Sequence, residues 1–194
     1  MARHARVAPS TASEQLHLLV RHGVLSVRQT GRDRYYTLAG AAVADALEAL
    51  ARIAPPHPVR SLRQARLSDD LRRARTCYDH LAGALGVALF DMLVRREWLM
   101  ESDASYGVTA AGRRGLSRFG VDLDDVARSR RQFARACLDW TERRFHLGGG
   151  LGAAVYSATL EKDWFRRTTD GRALSVTDAG RLALRRFGIS QDGY

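Results

Sequence analysis

The chain has 194 residues, an apolar fraction of 45% and a formal net charge of +10. That length holds one large or two small domains, and the composition is that of a globular chain rather than a disordered one. Two cysteines cannot build a disulfide framework, no apolar run is long enough to span a bilayer, and no signal-peptide pattern opens the chain; the cytoplasm is the default compartment, and no membrane partner is expected. The positive charge favours a polyanionic partner. Its basic residues are arginines apart from Lys162, a skew that GC-rich coding partly imposes, so the charge is discounted accordingly.

In chain order, Val7–Leu25 predicts a turn feeding a helix. Pro9 suits a first helical position, where its missing N–H costs nothing. Ala12, Leu16, Leu19 and Val20 fall on one face, and Gly23 is placed to end the helix. Leu25, Val27, Tyr36 and Leu38 then alternate with polar residues around Thr30-Gly31-Arg32-Asp33, which predicts a β-hairpin with Arg28, Arg32 and Arg34 near its tip. A second helix is expected over Ala41–Ile53, closed by Pro55, Pro56 and Pro58.

Helix, basic hairpin, helix is the plan of a winged helix-turn-helix. The stretch from Arg6 to Gly40, RVAPSTASEQLHLLVRHGVLSVRQTGRDRYYTLAG, resembles the recognition helix and wing of ArsR-type bacterial repressors. The resemblance covers about the first 54 residues. It implies a homodimer on double-stranded DNA that lets go when a metal ion or other effector binds. It also implies that Ser10, Thr11, Ser13, Gln15 and His17 face the bases, with Arg28, Arg32 and Arg34 as wing contacts. Members of that family carry about two helices ahead of this point, so a native start upstream of Met1 is expected. Residues 1–76 hold no cysteine, so the thiolate pair that some members carry on their DNA-binding helices is missing.

Residues 55–66 are expected to be a linker and residues 67–194 a C-terminal effector or packing domain. Leu62 to Leu89 recur at helical spacing, which predicts one long helix through Cys77 and His80. The text then repeats. His80–Leu99, HLAGALGVALFDMLVRREWL, returns as His146–Phe165, HLGGGLGAAVYSATLEKDWF, and Val108–Val121 returns as Val176–Ile189. Cys77 and Asp79 correspond to Cys137 and Asp139, with about six extra residues, Trp140–Phe145, in the second copy. The two copies, about 67–121 and 122–194, each read as helix, hairpin, helix, joined by a helix over Leu123–Arg144. The fold class is therefore mainly α with short β-hairpin wings: a winged helix-turn-helix followed by two diverged winged-helix-like repeats. The helices that correspond to the recognition helix read AGALGVALF and GGGLGAAVY, small residues suited to packing rather than to reading bases.

Cys77 and His80 stand three apart, hence on one face of a helix, while Cys137 and His146 flank a helix break. Were the repeats to pack as a pseudo-symmetric pair, the four could converge as a Cys₂His₂ site backed by Asp79 and Asp139. Zinc, cadmium or lead would suit it. Plain core packing accounts for the same residues, because cysteine often serves as a small buried hydrophobe; a redox or small-molecule effector role stays open too. The leading function is a dimeric transcriptional repressor with an effector-responsive C-terminal domain. Alternatives are a constitutive basic nucleic-acid-binding protein and a fragment that has lost DNA binding. No enzyme is expected: P-loop, G-x-G-x-x-G, G-x-S-x-G and H-E-x-x-H motifs are missing from the sequence.

Overall fold

A computed structural model describes residues 2–55, 58–59, 61–103, 105–168 and 171–190. Met1, three residues of the expected linker (Pro56, His57 and Arg60) and 191–194 at the end of the second repeat lie outside the described residues. The chain divides into two compact units, Met1–Ala51 and Arg52–Tyr194.

The first unit runs α1 (Ala2–Ala5), α2 (Pro9–Arg21), β1 (Leu25–Thr30), β2 (Asp33–Leu38) and α3, which spans Ala41–Ile53. Pro9 opens α2. Its end is closed by the His22 amide on the Leu18 carbonyl and the Val24 amide on the Leu19 carbonyl, a reversal that Gly23 permits at φ +70°. The strands pair antiparallel with Leu25 opposite Leu38 and Val27 opposite Tyr36, so the alternating apolar residues meet across the hairpin. Ala12, Leu16 and Val20 are half-buried, whereas Leu19 stays 38% exposed.

The second unit contains the duplication. The first copy is α4 (Leu62–Arg73), β3 (Arg75–Cys77), β4 (His80–Ala82), α5 (Ala84–Arg95), β5 (Leu99–Ser102), β6 (Ser105–Val108) and α6 (Ala110–Phe119). The second is α7 (Leu123–Arg128), β7 (Arg135–Leu138), β8 (Phe145–Gly148), α8 (Gly149–Glu161), β9 (Phe165–Arg167), β10 (Leu174–Val176) and α9 (Asp178–Arg186). Each copy thus carries a hairpin more than the helix–hairpin–helix expected of it, and two expected helices are corrected. The long helix through Cys77 and His80 is broken: α4 stops at Arg73, and Cys77 and His80 are cross-strand partners on either side of a two-residue turn. From His80 to Val87 every residue is buried. A run buried on all sides carries no period, so helix and strand cannot be told apart there by pattern. Tyr78 at φ +57° and Gly83 at φ +79° enforce the turn and the exit that helix would forbid. Likewise the joining helix ends at Arg128, and the rest of Leu123–Arg144 contains β7 and the loop that follows it. Leu62–Arg66, expected in the linker, open α4 behind a Ser61 cap whose hydroxyl accepts from the Gln64 amide.

The copies interlock rather than sit in line. α5 packs on β8 while α8 packs on β4. The Thr76 amide donates to the Arg172 carbonyl and the Leu174 amide to the Ala74 carbonyl, tying the first copy's β3 to the second copy's β10. Reciprocally, the Tyr106 amide of β6 donates to Ala134 beside β7. Leu85, Met92, Leu93, Leu116, Leu151, Phe165 and Leu184 form one core between them. Among the described residues, no helix is long and apolar enough to cross a membrane.

The same joint recurs in both copies. Thr109 and Thr177 cap α6 and α9 through the amides of Gly112 and Gly180. Their backbone amides bond to the Trp98 and Trp164 carbonyls. A β-carbon on Gly112 would fall 2.0 Å from the Trp98 carbonyl oxygen, and one on Gly180 2.1 Å from that of Trp164. Both contacts are with backbone, which cannot swing away. Gly112→Ala and Gly180→Ala are therefore each expected to destabilise the second unit by about 1–3 kcal/mol, read as a lower urea midpoint at unchanged slope. Gly107→Ala, whose β-carbon would meet nothing closer than 3.9 Å, should leave the midpoint within about 0.5 kcal/mol of the parent.

Candidate functional site

Two constellations stand out, one in each unit. In the first, Ser10, Ser13, Gln15 and His17 of α2 line one open groove together with Glu14, Leu18, Arg21 and Arg34. Thr11 lies exposed on the same helix, Arg28 of β1 lies over the Tyr35 ring at 6.0 Å, and Arg32 is exposed at the hairpin turn. Arg21 was not singled out from the sequence. Its position one turn beyond His17 is the signal that could have found it.

In the second unit, Cys77, His80, Cys137 and His146 come together, with their ligand-type atoms all within 4.8 Å of one another and all four residues buried. The local reason is the hairpin. Cys77 faces His80 across β3–β4, and Cys137 faces His146 across β7–β8. The reciprocal packing of the copies then sets the two pairs face to face. The cysteine sulfurs stand 3.9 Å apart without a disulfide, and the imidazole centroids are 5.1 Å apart. Nε2 of His80 and Nε2 of His146 are buried and have no hydrogen-bond partner among the described residues. Leaving such a group unsatisfied costs about 1–3 kcal/mol.

Each imidazole has a carboxylate behind it. His80 Nδ1 lies 3.3 Å from Asp79 Oδ1, and Arg131 donates to both oxygens of Asp79. His146 Nδ1 lies 3.3 Å from Asp139 Oδ2, an ion-pair distance with poor hydrogen-bond alignment. Asp139 is a hub with no solvent exposure. Its oxygens accept from Arg75 Nη2 at 2.9 Å, the Gly83 amide at 2.7 Å, the Thr141 amide and hydroxyl, and the Glu142 amide. Arg75, equally buried, donates also to the Leu71 carbonyl and to Thr141, and stacks 4.6 Å from the Trp140 ring. The residues added to the second copy are thus the loop that wraps Asp139.

Burial alone would raise the Asp139 carboxyl, but nearby His146, Arg75, Thr141 and the Gly83 amide hold it well below the usual carboxylate range. Asp79 is lowered in the same way: His80 and Arg131 outweigh burial. The Cys137 thiol is pulled far below its ordinary value by the Cys77 thiol first, against burial, with His146 and His80 assisting. Burial works to lower His146, yet Asp139 and Cys137 raise it. The site therefore favours thiolate at Cys137, the form that ligates metals and attacks electrophiles.

The chain is 40% identical over 184 residues to an uncharacterized HTH-type transcriptional regulator, YdfF, of Bacillus subtilis strain 168, an alignment covering 95% of this chain and 81% of that protein. The chain belongs to the HTH-type transcriptional regulators. No family model and no solved structure matches it. As an HTH-type regulator it is a DNA-binding protein of transcription control, a class in general without enzymatic activity. The alignment spans nearly the whole chain, so it includes the duplicated unit as well as the first.

Sequence reasoning named both aspartates behind the Cys–His cluster of this regulator and missed Arg75, although the repeat writes RTC at Arg75 and RAC at Arg135. The buried pair yields a direct expectation. Arg75→Met strands the Asp139 carboxylate and should cost about 3–5 kcal/mol of unfolding free energy. Arg75→Met combined with Asp139→Asn should cost clearly less than the sum of the two single changes in a urea-denaturation cycle. Additive losses would show that the two side chains do not act as a pair.

Proposed function

We propose that this HTH-type regulator is a dimeric winged-helix repressor that releases DNA when an effector loads its second unit. The observation that carries the reading is the groove shared by α2 and β2, polar along the helix and basic at its rim. In this reading α2 enters the major groove. Ser10, Thr11, Ser13, Gln15 and His17 are short or amide-bearing side chains suited to base edges. Arg28, Arg32 and Arg34 on the hairpin reach phosphates, which fix register without reading sequence. The small-residue helices α5 and α8 occupy the equivalent place in the duplicated unit and are buried, so reading is assigned to α2.

The resemblance to ArsR-type repressors supplies the rest: a homodimer, repression, and release by a metal ion or small molecule. Leu47 and Leu50, 46% and 58% exposed on α3, offer an apolar stripe to a second copy. A twofold dimer sets two α2 helices in successive major grooves, about 34 Å apart. An effector that binds better to a dimer of another spacing lowers DNA affinity by that difference in affinity.

The test is fluorescence anisotropy of the full chain on the duplex upstream of its own gene and on a scrambled duplex. The native duplex is expected to bind at least about 10³-fold more tightly. Arg28→Ala and Arg34→Ala should each flatten the slope of log affinity against log salt by about 0.9, on both duplexes. Gln15→Ala should instead narrow the gap between duplexes by about 1–3 kcal/mol. Equal affinity for the two duplexes would replace this reading with that of a constitutive basic nucleic-acid-binding protein.

A further inference from the structure

We propose that Cys77 Sγ, Cys137 Sγ, His80 Nε2 and His146 Nε2 ligate one zinc-class divalent ion in a closed tetrahedral centre that pins the two repeats of the second unit together. Its regulatory meaning rests on the proposed function, for which it names the effector class. The centre itself rests on geometry alone.

The first argument is spacing. Two sulfurs bound to one zinc at about 2.3 Å each, at the tetrahedral angle, stand about 3.8 Å apart. Here they are 3.9 Å apart, and all four ligand-type atoms fit within 4.8 Å. The second is polarity. The Nε2 atoms of His80 and His146, 2% and 0% exposed by residue, are the cluster's imidazole atoms turned away from the carboxylates and left without a hydrogen-bond partner among the described residues. The third is what stands behind them. Asp79 and Asp139 stand 3.3 Å from the Nδ1 atoms, hydrogen-bonded to His80 and at ion-pair distance from His146, carboxylates placed behind imidazoles as they are behind metal-ligating histidines. The fourth is space. Position 148 is glycine, and a β-carbon there would fall 3.3 Å from the Cys137 β-carbon and 3.4 Å from His80 Nε2.

The donor set selects the ion. Two thiolates and two imidazoles suit a borderline-soft d¹⁰ cation: zinc, with cadmium able to replace it. Magnesium and calcium require oxygen ligands, and neither is available from these side chains. Lead(II) carries a stereochemically active lone pair, which a closed tetrahedron of four protein ligands does not accommodate. Because all four ligands are buried, no side of the centre is left open for substrate, as in structural rather than catalytic zinc sites. Each repeat contributes one cysteine and one histidine. Ion binding then adds to the stability of a second unit that already has its own core, and the two hairpins cannot part while the ion stays.

The experiment uses the untagged full chain, purified with and without a chelator step. Zinc is expected at one per chain, and cobalt(II) added to the zinc-free chain should give the intense visible bands of a tetrahedral site with thiolate-to-cobalt charge transfer. One equivalent of zinc or cadmium should bleach them; one equivalent of lead should not. Zinc should raise the thermal midpoint by more than about 10 °C. Cys137→Ser and His80→Gln should each lower cobalt affinity at least about 100-fold, and Asp79→Asn, which touches no ion, by about 10- to 100-fold. A weak six-coordinate cobalt spectrum in the unsubstituted chain, displacement by lead as readily as by zinc, or a Cys77–Cys137 disulfide in place of bound metal would overturn the centre. Those outcomes leave sequence-specific DNA binding, measured on the same samples, untouched. Loss of that binding with a tetrahedral spectrum intact would instead remove the repressor reading and leave the centre standing.

Discussion

The second unit depends on a carboxylate that has no water. Asp139 is fully buried, and its charge is tolerable only because Arg75, the Gly83 amide and its own loop at Thr141 and Glu142 all point at it. Two of those partners, Arg75 and Gly83, belong to the other repeat. A buried ion pair adds little net stability over an apolar pair of the same shape, since desolvation offsets the attraction. What it does is penalise every misaligned packing of the two repeats. Slide one hairpin against the other and the carboxylate is stranded. The same register that satisfies Asp139 brings Cys77 to Cys137 and sets a carboxylate behind His146.

Duplication explains the symmetry of the cluster, and the inserted loop explains where symmetry fails. Both copies supply cysteine, aspartate and histidine on a hairpin, and both hold α6 or α9 by the same glycine-to-carbonyl contact. Asp79, however, lies in a two-residue turn with a third of its side chain exposed, held by Arg131 at the surface. Asp139 heads a longer loop that folds back over it and draws Arg75 inward under Trp140. The two histidines therefore share a geometry and differ in surroundings: one is backed by a carboxylate in contact with water, the other by one sealed in the core.

How much of this was legible follows from where a pattern survives. In the first unit one face of each element is wet, so alternation marks β1 and β2, and Pro9 and Gly23 mark the ends of α2. In the second unit, His80 to Val87 is buried throughout, and nothing in a run with no wet face tells strand from helix. The Cys–His grouping stood as one of several alternatives in the sequence despite that error. Residues three apart are neighbours on a helix face, and they are also neighbours across a two-residue turn, so Cys77 and His80 adjoin in either case. The pairing of Arg75 with Asp139 was out of reach. It joins residues sixty-four apart through the reciprocal packing of the copies, which no local period records.

One helix–hairpin–helix plan thus serves opposite ends within a single chain. α2, α5 and α8 each end the same way, with a backbone reversal at Gly23, Glu97 or Asp163, and each feeds a two-stranded hairpin. What separates them is side-chain polarity. STASEQLH keeps α2 wet along its length, with serine, glutamine and histidine lining an open groove. AGALGVAL and GGLGAAV carry almost no polar atoms, and their small residues admit close approach: a β-carbon at Gly86 or Gly152 would run into the Leu81 or Leu147 carbonyl of the adjoining strand. The helix face that touches its neighbour's backbone is closed to another molecule. The glycines that bring β4 and β8 against α5 and α8 are thus what close the space around Cys77, His80, Cys137 and His146.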